Sequence, residues 1–236
     1  MSKPFYILAA VPMQSVQLKS FFEQGEGSVM TLLQNPEKLR NMGWDLQTLD
    51  IPRIIKGEYL EVRSGERKLL NLYEDGTFIM RAVADYTFLG HGQGEEAFKK
   101  KPRLNPLAII EVTYNFINFY KKLISHFEVK PTTIKFKTEL KNTYLEEDKK
   151  LYLNPGGVKD FDWPFDDDPH KAPEEHMANK EIIKATDDLL DLSPYVAYEL
   201  IEKLYLWFGF NPNKIPYTSL GKHQKRFIDE GKIITL

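Results

Sequence analysis

The stretch from Pro106 to about Phe127 constrains this chain more than any other. Its polar residues Glu111, Asn115, Asn118, Lys122 and Ser125 recur at spacings of three and four, so on a helix they fall in one narrow stripe. The rest of the circumference carries Leu107, Ile109, Ile110, Tyr114, Phe116, Ile117, Tyr120, Leu123 and Ile124. A helix that is apolar on most sides must be covered by other elements. The sequence therefore predicts a central helix with only a thin hydrophilic edge left wet, and the remaining segments have to supply its cover.

That cover reads as an antiparallel sheet and two later helices, an α+β fold. Phe5 to Val11 is a short apolar run stopped by Pro12, as a buried strand is. Ser15 to Phe22 can begin a helix that Gly25 and Gly27 break. Ser28 caps a helix carrying Val29, Leu32 and Leu33, and Asn35-Pro36 opens a short turn ended by Gly43. From Arg53 to Val83 the period becomes that of strands, and the turn signals Ser64-Gly65 and Asp75-Gly76 divide it into a three-stranded meander. Ile134, Phe136 and Leu140 alternate with Lys135, Lys137, Glu139 and Lys141, which predicts a strand with one buried and one wet face. A second strand near Leu151 to Leu153 is a candidate to pair with it. Two helices are expected to follow, from Glu174 to Leu190 and from Pro194 to Phe208, the latter capped by Ser193 and ended by Gly209.

With 42% hydrophobic and 13% aromatic residues in 236, the chain has ample material for one elaborated domain, 1–236. The charged stretch Glu95 to Arg103 reads as an exposed linker or long loop, so lobes 1–94 and 104–236 are the alternative division. The absence of cysteine excludes disulfides, cysteine zinc sites, iron–sulfur ligation and thiol nucleophiles. Pro12 interrupts the first apolar run well short of a leader core or membrane span, so a cytoplasmic chain with no membrane partner is expected. A net charge of −2 gives no global pull towards nucleic acid.

Local patches must carry any chemistry. Asp160, Asp162, Asp166, Asp167, Asp168 and His170, followed by Glu174, Glu175 and His176, form the densest set of hard ligands, of the kind that holds a divalent cation. The glycine a calcium loop needs is missing between the acids, and the Glu-Glu-His stretch lacks the paired histidine of a metalloprotease helix. A solvated acidic loop without a cofactor is thus the simpler reading, with a divalent cation at Asp160, Asp162, Asp166, Asp168 and His170 as the alternative. Trp163 and Phe165 in that loop are either anchors to the core or a partner interface, where aromatics are enriched. The row Lys135, Lys137 and Lys141 can follow a nucleic-acid backbone, although Glu139, Glu146, Glu147 and Asp148 dilute it. Leu89-Gly90-His91-Gly92-Gln93-Gly94 is glycine-rich but lacks the lysine and hydroxyl of a phosphate loop. His91 has no identifiable nucleophile to serve, and no G-x-S-x-G elbow occurs.

Several stretches together resemble a known group: Leu32-Leu33-Gln34-Asn35-Pro36-Glu37-Lys38-Leu39-Arg40, Gly43-Trp44-Asp45-Leu46, Leu72-Tyr73-Glu74-Asp75-Gly76-Thr77, Asn105-Pro106-Leu107-Ala108 with Glu111, and Tyr205-Leu206-Trp207-Phe208-Gly209-Phe210. The pattern is similar to the C-terminal region of bacterial DNA-binding or ATP-binding proteins that carry a Schlafen/AlbA-type domain at the N-terminus. That domain has no counterpart here, so no binding residue carries over. The resemblance implies an accessory module whose association with DNA is indirect. The expectation is a non-enzymatic binding or regulatory module with a protein partner. A metal-dependent hydrolase or nuclease using the acidic loop 160–176 is the second reading.

Overall fold

The computed structural model describes residues 3–48, 50–92, 94–146, 148–153, 170–221 and 224–236. In Phe5–Pro12 (β1), Tyr6, Leu8 and Ala10 are buried while their neighbours are partly open, the period of a strand with one packed face. Ser28 starts α1 (Val29–Gln34) by accepting the Thr31 amide on its hydroxyl at 3.2 Å, one of the donors a first turn leaves unpaired. The helix expected at 15–22 does not form. There the Leu18 amide donates to the Glu74 carbonyl and that of Lys19 to the His126 carbonyl, each at 2.8 Å, so distant elements satisfy this backbone.

Four strands stand where three were expected: β2 (Arg53–Ile55), β3 (Tyr59–Ser64), β4 (Lys68–Tyr73) and β5 (Phe78–Val83). Ser64-Gly65 and Asp75-Gly76 both make turns, with Gly65 at φ 53° and Gly76 at φ 79°. The additional turn places Lys56 and Gly57 at φ 50° and 70°; lysine carries no turn signal of its own. Residues 95–103 are largely exposed, as a linker would be, but carry regular structure. They form α2 (Glu95–Lys100), with Phe98 buried against Tyr86, and β6 (Arg103–Leu104).

The central helix is α3 (Pro106–Leu123), extended by a 3-10 turn at Ile124–His126. Asn105 caps it by accepting the Leu107 amide at 3.0 Å, and Pro106 supplies a first helical residue that needs no donor. Next come β7 (Thr133–Lys141) and β8 (Tyr152–Leu153); the latter pairs in parallel with β6 rather than with β7. The segment expected as a helix over 174–190 is largely a strand, β9 (Met177–Ala185), followed by α4 (Thr186–Trp207). Ile182 and Ile183 suit a pleated surface, and β9 lies along the edge of β7 with Ile182 opposite Phe136. The expected boundary at Ser193-Pro194 appears as a kink within α4, where Leu192 leaves helical geometry (φ −128°, ψ 29°) two residues before Pro194, whose ring and missing N–H interrupt the helical ladder. A hairpin, β10 (Thr218–Leu220) and β11 (Arg226–Ile228), and α5 (Glu230–Ile234) complete the chain.

The sheet is antiparallel throughout, in the order β2-β3-β4-β5-β1-β7-β9. Its packed face meets α3 and α4, which also pack on each other. Phe116, Ile117 and Tyr120 are wholly buried. The polar stripe of α3 is not wet along its length, however: Glu111 and Asn115 are buried, Asn118 and Lys122 are partly open, and Ser125 is exposed. No helix among the described residues is long and apolar enough to cross a membrane.

Candidate functional site

Lys135, Lys137 and Lys141 project from the outer face of β7, as alternation requires. Glu181 of β9 lies 3.7 Å from Lys135 and 3.4 Å from Lys137, and Glu139 lies 3.0 Å from Lys141. The row is therefore a mixed-charge surface. Of the proposed metal ligands, Asp160, Asp162, Asp166 and Asp168 lie outside the described residues, as do Trp163 and Phe165. His170 stacks on Phe210 beyond α4, with ring centroids 3.4 Å apart. Among the described residues no group of three or more acidic or histidine side chains is placed to hold a metal.

What covers the buried half of the α3 stripe is the segment 40–44. The Arg40 Nε–H and the Trp44 amide each donate to the Glu111 carboxylate at 2.7 Å, and Asn115 donates to the Trp44 carbonyl at 3.1 Å. Trp44 in turn donates its indole N–H to the Phe88 carbonyl at 2.8 Å. Burial pushes the Glu111 carboxyl above its ordinary range, and the Trp44 amide and Arg40 pull it partly back. Close by, the Lys68 amine donates to the Asp45 carbonyl at 2.9 Å, to the Asp45 carboxylate at 3.2 Å and to the Gln47 carbonyl. Burial lowers its pKa, against the attraction of Asp45. These two buried charges tie 40–47 to α3 and β4.

Gly43 is required by space alone. A Cβ there would sit 2.2 Å from Glu111 Oε2 and 2.9 Å from Arg40 Cγ. Gly43→Ala is expected to force this contact apart and to lower stability by about 1–3 kcal/mol, the range of overpacking. Urea denaturation would measure it, and an unchanged midpoint would show that the segment can move aside freely.

The glycine-rich turn forms the facing wall. The Gly90 amide donates to the Asp85 carbonyl at 2.7 Å, and Asn105 Nδ2 donates to the His91 carbonyl at 3.0 Å. Gly90 leaves no room for a side chain against Arg103 and Phe98. His91 meets Trp44 edge-on, with centroids 5.9 Å apart. Between the walls lies a cleft of about 520 Å³ lined by Arg40, Met42, Trp44, Arg67, Phe88 and His91, with Leu107 and Leu236 among its other contacts. Its lining side chains include two arginines and a histidine but no carboxylate. A larger groove of about 910 Å³ runs between α4 and the β10–β11 hairpin, but Lys184, Asp188, Glu199, Glu202, Lys225 and Arg226 mix both signs along it, so its electrostatics favour no ligand class.

Helical spacing puts Glu111 on the stripe expected to be wet, and nothing in the sequence assembles this cleft. The available trace is a single carboxylate between Ile110 and Val112, the sixth residue of α3. No family model, curated protein or solved structure matches the chain.

Proposed function

We propose that this chain is a non-enzymatic binding module that recognises a protein partner through the Trp44 cleft, as an accessory to a nucleic-acid-binding bacterial protein. The observation that carries this reading is the exposure of Met42, 91% open at the cleft rim, beside a Trp44 fixed at both its indole and its backbone. A flexible thioether next to a rigid aromatic is a surface suited to anchoring apolar side chains of a partner. Glu111 and Lys68 behind it already have fixed partners. They serve to hold the wall in one shape, which lowers the ordering cost of binding.

The reading is tested by affinity capture from the source cells, comparing the wild type with Met42→Asp and with Arg67→Glu. Both side chains are exposed, so melting temperatures should be unchanged. Recovery of specific partners should fall by about tenfold or more. Equal recovery by all three proteins would remove the cleft as the recognition surface.

A further inference from the structure

The lining of the cleft also specifies what kind of segment it receives. Resting on the binding reading above, we infer that the cleft takes a partner segment with an aliphatic anchor flanked by carboxylates, entering where the chain's own Leu236 now lies. Two independent observations lead there. The first is charge. Arg40 is balanced by Glu111 beneath it, but Arg67 is exposed and forms no ion pair among the described residues, and its charge is felt by the Lys68 amine. With His91 on the opposite wall and no acidic side chain among the lining residues, this mouth is complementary to an anion.

The second observation is an aliphatic side chain already seated there. Leu236 lines the cleft while remaining 55% exposed, so it covers the apolar wall only in part. The segment that presents it is anchored further back. Ile233 is fully buried, and the Tyr114 hydroxyl of α3 donates to Glu230 at 2.6 Å. Burial and the Glu230 carboxylate push the Tyr114 hydroxyl up to about 12, so it remains a donor at neutral pH. Beyond Ile233 the hold is local: the Leu236 amide donates to the Ile233 carbonyl at 3.1 Å, and the Thr235 hydroxyl lies 3.1 Å from the Gly231 carbonyl. Leu236 can leave the cleft without disturbing the Ile233 anchor. A partner leucine or isoleucine would then take its place on Trp44, Phe88 and Leu107, with adjacent acids meeting Arg67 and His91.

The test uses fluorescence anisotropy with three pools of labelled nonapeptides: a central leucine flanked by Asp and Glu, the same leucine flanked by Lys and Arg, and a central serine flanked by Asp and Glu. The full chain should bind the first pool about tenfold more tightly than either of the others. Arg67→Glu should abolish or reverse the preference for acid, and Leu236→Ala should tighten binding of the first pool by about threefold through loss of the internal competitor. Equal binding of the acidic and basic pools, or an acidic preference indifferent to Arg67→Glu, overturns the inference. So does a first pool that binds no better than the serine pool. If no pool binds while partner capture still depends on Met42 and Arg67, the ligand class is wrong and the cleft reading stands. If capture is also indifferent to them, both fall.

Discussion

Arg40→Ala is expected to lower the free energy of unfolding at neutral pH by about 3–5 kcal/mol, the loss typical when one partner of a buried ion pair is removed. Glu111 has no exposed surface, and Arg40 is only 17% exposed at the side chain, so water cannot replace the guanidinium fully. The Trp44 amide would remain as a donor to the carboxylate, and the lower half of that range is the better expectation. The effect should depend on pH. A carboxyl whose native value is raised above the ordinary 4.5 holds its proton more tightly when folded. Its contribution therefore favours the native state below that value and is lost as pH rises through the raised one. Removing Arg40 raises the native value further. The deficit of the variant relative to wild type should accordingly shrink on going from neutral to mildly acidic pH, as Glu111 takes up its proton. In the Glu111→Gln background, Arg40→Ala should do much less damage, since no buried charge is left behind. Urea denaturation of the four proteins at both pH values decides it. A loss under about 1 kcal/mol that ignores pH would show that this ion pair does not hold the 40–44 segment on α3.

The parts of the fold legible in the sequence are those set by neighbours along the chain. Asn105-Pro106 marks the start of α3 because capping and a fixed φ act within two residues. The alternation in 133–141 locates the packed face of β7, and Asp75-Gly76 locates a turn. What local sequence does not show depends on partners distant along the chain. Residues 174–190 contain both β-branched and helix-forming residues, and the open edge of β7 decides that 177–185 become a strand. The counter-charge of the lysine row is hidden from the sequence with it, because Glu181 faces Lys137 only when 181 lies on a strand.

The candidate site was illegible for the same reason. Arg40 and Trp44 reach Glu111 across 71 and 67 positions, and periodicity on α3 reports which side of the helix Glu111 occupies, not what covers it. The stripe is polar in the sequence, yet a polar stripe has two physical solutions, water or another segment's donors. At Glu111 and Asn115 this chain uses the second. A lone carboxylate on such a helix is therefore a pointer to a covering loop, and Gly43, with no room for a Cβ beside Glu111, is its signature on the other side of the contact.

Phe116→Ala should be the most damaging substitution on the apolar side of α3. Phe116 is fully buried and stacks on Phe78 of β5, with centroids 5.1 Å apart and planes at 12°, and Phe78 also contacts Phe119 at 4.5 Å. Phe78 sits opposite Ala10 on β1 and Leu72 on β4, so the aromatic cluster joins the central helix to three strands at once. Truncation removes the transfer energy of a phenyl ring and leaves a cavity that this sheet can close only in part, a loss of about 3–5 kcal/mol. The ring pairing adds roughly 0.5–1.5 kcal/mol to the local interaction, which places the expectation near the top of that range. For a chain of this length the melting temperature should fall by roughly 8–20 °C. Phe116→Leu, which keeps most of the volume, should cost distinctly less and so separates cavity formation from a general intolerance of change at this position. Because the same helix carries Glu111 on its other side, a drop of this size with 40–44 still docked would show the sheet contact and the cleft contact acting as separable supports. An alanine variant that melts with the wild type would mean that α3 is not enclosed, and a cleft built on its buried carboxylate would lose its foundation.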